Sequence, residues 1–172
     1  MMLRQLSGKY DFGVEYVDFV TCTIKPMDET AASIISEWEY PAPYDVYNFK
    51  GRPNGYLFNK NAWGKELFYL AYNNAIIGYV ACQYDDADLW VGWALAPELC
   101  GKGNGDLFIS NCIQEIRRVK LYHGILYLRV AAWNIRAIKA YEKAGFVYVD
   151  TIIDEIAYSN KLEDFWIMQH SV

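Results

Sequence analysis

The spacing of apolar and polar residues predicts a strand and then a helix in the first quarter of the chain. A β-branched run at residues 19–25 predicts the strand, and Pro26 ends it because proline has no backbone N–H to donate. Asp28 is placed to cap the helical pattern that follows, and Pro41 stops it. The apolar residues of this helix are Ala31, Ile34, Ile35 and Trp38.

Three further strands are predicted in the middle of the chain. Residues 66–72 and 76–84 fit the two strands of a hairpin, because Asn73 and Asn74 between them tolerate the positive φ of a tight turn. Residues 89–95 are apolar on both faces, which is typical of a strand buried on both sides. Together the three runs predict an antiparallel meander.

The second half of the chain predicts two helices and three strands. Residues 107–120 carry an apolar stripe, and their Lys and Arg residues lie in the last turns, where they suit the helix dipole. A buried strand at residues 125–131 leads to a helix that Asn134 caps and Gly145 stops. The last strands are predicted at residues 146–153 and 164–169.

This order of elements predicts one α/β domain with a mixed sheet, covering residues 19–172. The chain has 172 residues, 53% of them hydrophobic, which suffices for one core but not for two ordinary domains. Residues 1–18 lack clear periodicity, so we expect an N-terminal extension or an edge strand there.

Charge and cysteine usage narrow the classes of function. The net charge of −5 argues against nucleic-acid binding, which draws on clustered Lys and Arg. The four cysteines form no C-x-x-C pair and no histidine lies at ligand spacing, so no metal site is expected. Because no apolar leader or membrane-spanning run is present either, we expect a cytoplasmic protein with free thiols.

Three glycines alternate at the junction between a predicted strand and a predicted helix: Gly101, Gly103 and Gly105. Glycine allows a close backbone approach, and a helix N-terminus attracts anions such as a pyrophosphate. By itself, such a turn is equally consistent with a structural corner. A Walker loop would need G-K-S or G-K-T, and a dinucleotide fold would need an early G-x-G-x-x-G after a parallel strand, so both fit poorly.

The chain contains A-P-E-L-C-G-K-G-N-G at this turn and, one helix and one strand later, N-I-R-A-I-K-A-Y-E-K-A-G-F. Together these motifs resemble the GNAT superfamily of N-acetyltransferases, over roughly residues 19–169. In the first motif Gly103 and Gly105 occupy the two small positions. The second is the more specific, and its matching residues are Asn134, Ala137, Tyr141, Gly145 and Phe146. The resemblance implies a mostly antiparallel sheet, splayed between two central strands and flanked by helices.

The resemblance also implies acetyl-CoA as co-substrate, with no metal. Backbone amides of the glycine turn would bind the pyrophosphate, and the pantetheine arm would enter between residues 89–95 and 125–131. The amide near Leu95 would stabilise the oxyanion that forms when an amine attacks the thioester. The implied cofactor-binding residues are Trp93, Ala94, Leu95, Gly101, Lys102, Gly103, Asn104, Gly105, Asp106 and Asn134.

Tyr141 matches the family's general acid, which protonates the departing thiolate. A phenol suits this task because its usual pKa, about 10, is close to that of a thiol. Asn134 and Tyr141 are almost two helical turns apart and point the same way, so one ligand can contact both. The alternative is that Tyr141 only packs on the last strands.

Residues 38–47, called the aromatic segment below, fall where relatives cover the acceptor site. The segment forms either an acceptor-binding wall or a lid over the sheet. Its candidate substrate-binding residues are Trp38, Tyr40, Tyr44 and Tyr47. The implied acceptor is a primary amine, on a small molecule or a protein N-terminus. Two-fold dimers are common among relatives, so the resemblance leaves a homodimer as an open alternative for this protein.

Two positions depart from the family pattern. Cys100 replaces the Gln or Arg of the first motif, and Asp106 brings a carboxylate close to the expected phosphates, unless it caps the helix.

No general base is evident, and the open candidates are Glu39, Asp86, Asp88 and Glu98. The leading hypothesis is therefore an acetyl-CoA dependent N-acetyltransferase acting by direct transfer. The alternatives are a non-catalytic acyl-CoA sensing module and an interaction scaffold.

Overall fold

The computed structural model describes residues 17–50, 55–156, 159 and 161–171, so most of the expected extension at residues 1–18 lies outside the described residues. Within them, seven strands form one mixed sheet in the order β1-β2-β3-β4-β5-β7-β6, with three α-helices. The strands are β1 Thr23–Pro26, β2 Leu67–Tyr72, β3 Ala75–Asp85, β4 Asp88–Leu95, β5 Leu126–Ala131, β6 Val147–Glu155 and β7 Leu162–His170. The helices are α1 Glu29–Ser36, α2 Gly105–Lys120 and α3 Ile135–Lys143. The predicted α/β class and order of elements are confirmed.

The first strand begins later than predicted. Residues 19–21 form a short 3-10 turn, and β1 starts at Thr23. The carboxylate of Asp18 accepts a hydrogen bond from the Val20 amide, and its carbonyl accepts one from the Thr21 hydroxyl. Local bonds of this kind compete with strand pairing, which explains why β-branched residues form a turn here.

Asp28 caps α1 as predicted, because its carboxylate accepts a hydrogen bond of 2.8 Å from the Ala31 amide. The helix ends at Ser36, earlier than the predicted stop at Pro41. Trp38, which follows the helix, is only 4% exposed and packs in the hydrophobic core. The aromatic segment therefore begins with a buried indole, which anchors it to the core just after α1.

The predicted hairpin of β2 and β3 is confirmed. Asn73 and Asn74 connect the strands with φ values of 47° and 65°, in the left-handed region that asparagine tolerates. β3 continues through a second turn into β4, again antiparallel. The predicted meander is thus present.

β4 and β5 are the only parallel neighbours in the described sheet. They pair only where Leu89 lies opposite Leu126 and Trp90 opposite Tyr127. Beyond these pairs the two strands separate, as the family resemblance implied. Residues 92–95 consequently border an open gap and are only partly buried, so the prediction of a strand buried on both sides is wrong for this half of β4.

Helix α2 is held tightly against the sheet. Gly78 on β3 lets the ring of Phe108 approach, since a Cβ at this glycine would lie 2.6 Å from the ring. At the other end of α2, Glu115 accepts a hydrogen bond of 2.9 Å from the Ile24 amide on β1. These contacts fix the N-terminus of α2 beside the open end of the gap.

In the described part of the chain, no helix is long and apolar enough to cross a membrane.

Candidate active site

The separation of β4 and β5 opens a cavity of about 580 Å³. Its walls come from the two strands, the glycine turn, the first turns of α2, one face of α3 and the aromatic segment. The predicted site residues that line it are Tyr40, Tyr44, Tyr47, Trp93, Ala94, Leu95, Gly101, Gly103, Gly105, Asp106, Asn134 and Tyr141. Residues far apart in sequence therefore meet in one cavity.

Three predicted site residues lie elsewhere. Trp38 is a core residue, so it is not available as part of an acceptor wall. Lys102 is exposed, and neither it nor Asn104 lines the cavity. Asn104 instead occupies the N-cap position of α2, without a side-chain capping bond.

The backbone of β4 presents alternate residues to the gap. The Ala96 amide donates to the Ile77 carbonyl on β3, at 2.8 Å. In an antiparallel pair such bonds recur at every second residue. The polar backbone groups of Ala94, one of the predicted cofactor-binding residues, therefore face β3 and not the gap through which the pantetheine arm is expected to enter. Those of Trp93 and Leu95 face the gap, and the Leu95 carbonyl accepts a hydrogen bond of 2.9 Å from the Tyr40 hydroxyl.

The glycine turn has the geometry of an anion cradle. Gly101 and Gly103 have φ values of 74° and 79°, and a Cβ at either position would meet no atom within 4 Å. Because the N-cap of α2 makes no side-chain bond, the first amides of the helix lack a capping acceptor from that residue. Gly105 has a different role, since a Cβ there would lie 3.1 Å from that of Ala140 on α3.

Cations on α3 line the same cavity and were missed from the sequence. Arg136, Lys139 and Lys143 recur three and four residues apart, a spacing that places them on one helix face. They share α3 with Ala140, whose Cβ faces Gly105 at the end of the glycine turn. The spacing was visible in the sequence, but it also describes an ordinary solvated face.

Asn134 caps α3 as predicted. Its Oδ1 accepts from the Ala137 amide at 3.2 Å, and its Nδ2 donates to the Tyr47 hydroxyl at 3.5 Å. Gly145 stops the helix with a φ of 96°. The side chain of Asn134 thus links α3 to the aromatic segment at the cavity wall.

Tyr141 lies in a cluster of three aromatic rings. Its ring centroid is 6.3 Å from that of Trp93 and 5.8 Å from that of Phe146. Burial raises the pKa of Tyr141 above its ordinary value, the neighbouring Tyr47 adds to this shift, and the indole N–H of Trp93 opposes it. The phenol is therefore protonated at neutral pH, as a proton donor must be.

The aromatic segment covers the other side of the cavity. Tyr44 and Tyr47 both pack on Trp133, each with ring centroids 6.0 Å apart. The guanidinium of Arg136 lies 3.8 Å from the ring centroid of Tyr44, within cation–π range. The segment is thereby fastened to the start of α3 by stacked rings and one cation.

The candidate bases from the sequence do not line the cavity. Glu39 pairs with Lys50, and Asp86 and Asp88 lie at the turn between β3 and β4. The fourth candidate, Glu98, is in a 3-10 turn outside the lining. Within the described chain, the carboxylates that do line the cavity are Asp106 and Glu155.

Glu155 was missed because its position depends on tertiary structure. It is the last residue of β6 and lies next to Ile156, which packs with Phe165 and Trp133. No local motif marks it in the sequence.

Cys100, the other unusual residue of the lining, has its thiol pKa raised by burial, so it stays protonated at neutral pH.

These features define a class of protein. A model of the acetyltransferase (GNAT) family matches residues 32–146, which include the glycine turn, α3 and Tyr141. The chain therefore belongs to the GNAT family of acetyltransferases. Among proteins with curated annotation, none matches the chain.

Solved structures share the fold. The spermidine N-acetyltransferase from Vibrio cholerae, in complex with CoA and spermine, has a TM-score of 0.68 at 20% identity, over 87% of this chain and 95% of its own. The protein yncA from Salmonella typhimurium, with its cofactor acetyl-CoA, has a TM-score of 0.60 at 18% identity, over 87% and 93%. A GNAT acetyltransferase from Bacillus anthracis has a TM-score of 0.68 at 14% identity, over 86% and 93%. At these identities the likeness is one of fold.

Proposed function

We propose that this protein is an acetyl-CoA dependent N-acetyltransferase, which moves an acetyl group directly to a primary amine in a ternary complex. The observation that carries the proposal is one cavity lined by the β4–β5 gap, the glycine turn and Tyr141. The structural neighbours that hold CoA or acetyl-CoA, one of them with spermine, support both the cofactor and an amine acceptor.

The lining suggests a place for each part of acetyl-CoA. The amides of the glycine turn and of the first turn of α2 would bind the pyrophosphate, with the cations of α3 as additional phosphate contacts. The gap-facing backbone groups of Trp93 would pair with the pantetheine amides. In this arrangement the Leu95 amide also faces the thioester and stabilises the oxyanion of the tetrahedral intermediate.

With Tyr141 as the acid, every bond and every proton of the proposed transfer step is accounted for. The neutral amine attacks the thioester carbonyl, so that a C–N bond forms and the C–S bond breaks. Tyr141 donates its proton to the departing sulfur, and the proton lost from the amine nitrogen restores the phenol. The products are the N-acetylated amine and CoA thiol.

The acceptor end of the cavity combines aromatic rings with one carboxylate. Tyr44, Trp133 and Phe165 lie near this end, and Glu155 is the carboxylate there. The rings of Tyr44 and Phe165 already contact the guanidinium groups of Arg136 and Arg129, so the carboxylate of Glu155 is the group at this end that suits an ammonium ion. We propose that Glu155 binds the acceptor as an ammonium ion and takes the proton that this ion must lose before the neutral amine attacks. The second proton, which the nitrogen loses after the attack, is the one that restores Tyr141.

Replacing Glu155 with glutamine is expected to lower kcat/KM for the amine by about tenfold to a hundredfold, as for one lost bond to a charged group. The affinity for acetyl-CoA should stay unchanged. Because a typical alkylamine has a pKa of about 10.4, the loss should shrink as the pH rises towards that value and the amine becomes neutral unaided. Steady-state kinetics across pH measure this.

The matched control is Asp88→Asn, which removes a carboxylate at the β3–β4 turn, outside the cavity lining. It should leave kcat/KM unchanged. A loss in Glu155→Gln that is the same at every pH would assign the residue to acceptor binding alone. No loss would remove it from the site.

Asp106 is expected to oppose cofactor binding, because it lines the cavity in the first turn of α2. Asp106→Asn should tighten acetyl-CoA binding about fivefold, equivalent to about 1 kcal/mol of relieved repulsion. The helix should lose about 0.3–1 kcal/mol of favourable dipole interaction. Calorimetry measures the affinity, with Glu142→Gln on the exposed face of α3 as control. Weaker binding by Asp106→Asn would show that this carboxylate instead contacts the cofactor.

The proposed activity is tested by thiol release from acetyl-CoA with four classes of acceptor: peptides with free N-termini, polyamines, antibiotic amines and amino acids. We expect release that depends on at least one class. Release that is equally slow with and without every acceptor would favour the acyl-CoA sensing module instead.

A cytoplasmic location is part of the proposal. The four cysteines are unpaired thiols, the state that a reducing compartment maintains. The homodimer remains a prediction that sedimentation of the protein would test.

A further inference from the structure

The indole N–H of Trp93 is a buried donor that the fold leaves unused. Its Nε1 is inaccessible to solvent and makes no hydrogen bond of normal geometry with the described residues, although it lies near enough to the Tyr141 hydroxyl to oppose the rise in the pKa of that group. Buried donors are nearly always paired, and an exception calls for a physical explanation. Trp93 also lines the proposed active site, so an acceptor that appears during the reaction would provide that explanation.

The residue next to this donor is the proposed acid. The rings of Trp93, Tyr141 and Phe146 pack on one another with centroids 5.8–6.3 Å apart. Phe146 supports both of the other rings from the position directly before β6, so their mutual position is set by packing rather than by a flexible loop. Trp93 itself is fixed on β4, opposite Val80 of β3.

The acid needs such a partner. Burial raises the pKa of Tyr141, and the Trp93 indole N–H acts in the opposite direction. A thiol has a pKa of about 8.5, so a buried phenol gives up its proton to a thiolate less readily the further its own pKa is raised. A hydrogen bond to the charged form of the phenol reduces this mismatch.

We propose that the indole N–H of Trp93 donates a hydrogen bond to the Oη of Tyr141 as that oxygen gives its proton to the departing sulfur. The proposal rests on the proposed function. As the C–S bond breaks, the sulfur takes the phenolic proton. The phenolate oxygen then accepts a hydrogen bond from the indole N–H. The bond is released when the phenol is reprotonated by the proton lost from the amine. Trp93 is thus a positioning residue that acts through Tyr141.

The test is a double-mutant cycle of Trp93→Phe and Tyr141→Phe. Phenylalanine keeps an aromatic ring at position 93 but removes the donor. We expect Trp93→Phe to lower kcat about tenfold to a hundredfold, the range for a bond to a charged group. KM for acetyl-CoA should stay within about twofold. In the Tyr141→Phe background the same change should have no further effect, because the bond needs the phenol oxygen.

The matched control is Trp90→Phe, on the same strand but outside the cavity lining, where the indole stacks on Tyr127. It should leave kcat unchanged. If Trp93→Phe lowers the melting temperature, 3-benzothienylalanine at position 93 replaces the N–H with sulfur and keeps the shape of the ring system. That variant should show the same loss of kcat with a native melting temperature.

Three results separate the claims. An equal loss in both backgrounds would overturn the proposal, because the N–H would then act on the substrate directly. A benzothienyl variant with full activity would overturn it as well. If Tyr141→Phe itself has full activity, the assignment of the acid fails, and the proposal for Trp93 fails with it.

Discussion

Replacing Tyr141 with phenylalanine is expected to lower kcat by about a hundredfold to ten-thousandfold, the usual contribution of a positioned acid. The ring packs between Trp93 and Phe146 with or without its hydroxyl, so the fold and the affinity for acetyl-CoA should persist. Thiol release measures the turnover, and calorimetry measures the affinity. Since the pKa of Tyr141 is raised, its ionisation should cause no loss of wild-type turnover as the pH rises to about 10.

The control for this variant is Tyr148→Phe, on the exposed face of β6, where the hydroxyl bonds only to Thr151 in the described structure. Its turnover should equal that of the wild type. Unchanged turnover in Tyr141→Phe would remove the residue from the mechanism. A parallel loss of acetyl-CoA affinity would point instead to a binding role.

The second large effect is expected on acetyl-CoA binding at Gly103. Asparagine and aspartate at this position have nearly the same shape but differ in charge. The φ of 79° at Gly103 lies in the left-handed region that Asn and Asp tolerate best among residues other than glycine, and the space beside it is open. Gly103→Asn should therefore weaken acetyl-CoA binding only a few-fold. Gly103→Asp places a carboxylate in the amide cradle and should weaken binding about a hundredfold more, or about 2.7 kcal/mol.

Calorimetric titration with acetyl-CoA at low and high ionic strength measures both variants. The gap between them should narrow at high salt, because salt screens the repulsion between the carboxylate and the pyrophosphate. Equal affinities for the two variants at low salt would show that no anion binds at this turn.

The sequence predicted those features that depend on a few neighbouring residues. The Asn73–Asn74 turn, the caps at Asp28 and Asn134, and the helix stop at Gly145 all follow from the conformational preferences of single residue types. The same holds for the family motifs, because their fixed spacing is a property of one turn and one helix.

Features that depend on distant contacts were not predictable in this way. Trp38 continues a helical pattern in the sequence, yet it lies in the core beyond the end of α1. β6 has an irregularity between Tyr148 and Asp150, and such a shift changes which residues of a strand share a face. The position of Glu155 at the cavity follows from that register, which period-two alternation alone does not give.

The choice among candidate bases illustrates the same limit. Glu39, Asp86 and Asp88 resemble Glu155 in everything that the sequence shows, since each is a carboxylate near the end of a predicted element. Only the folding of β6 and β7 against β5 brings Glu155 to the cavity. A catalytic assignment for a lone carboxylate therefore required the tertiary structure.

The most direct test of the central claim is the stoichiometry of transfer in a single turnover. Protein in excess over acetyl-CoA is mixed with an amine identified by the acceptor screen. Released thiol is then compared with acetylated amine by mass spectrometry. The proposed function predicts one acetyl group on the amine nitrogen for each thiol released, with both delayed equally in Tyr141→Phe. Thiol release without any acetylated amine would contradict it.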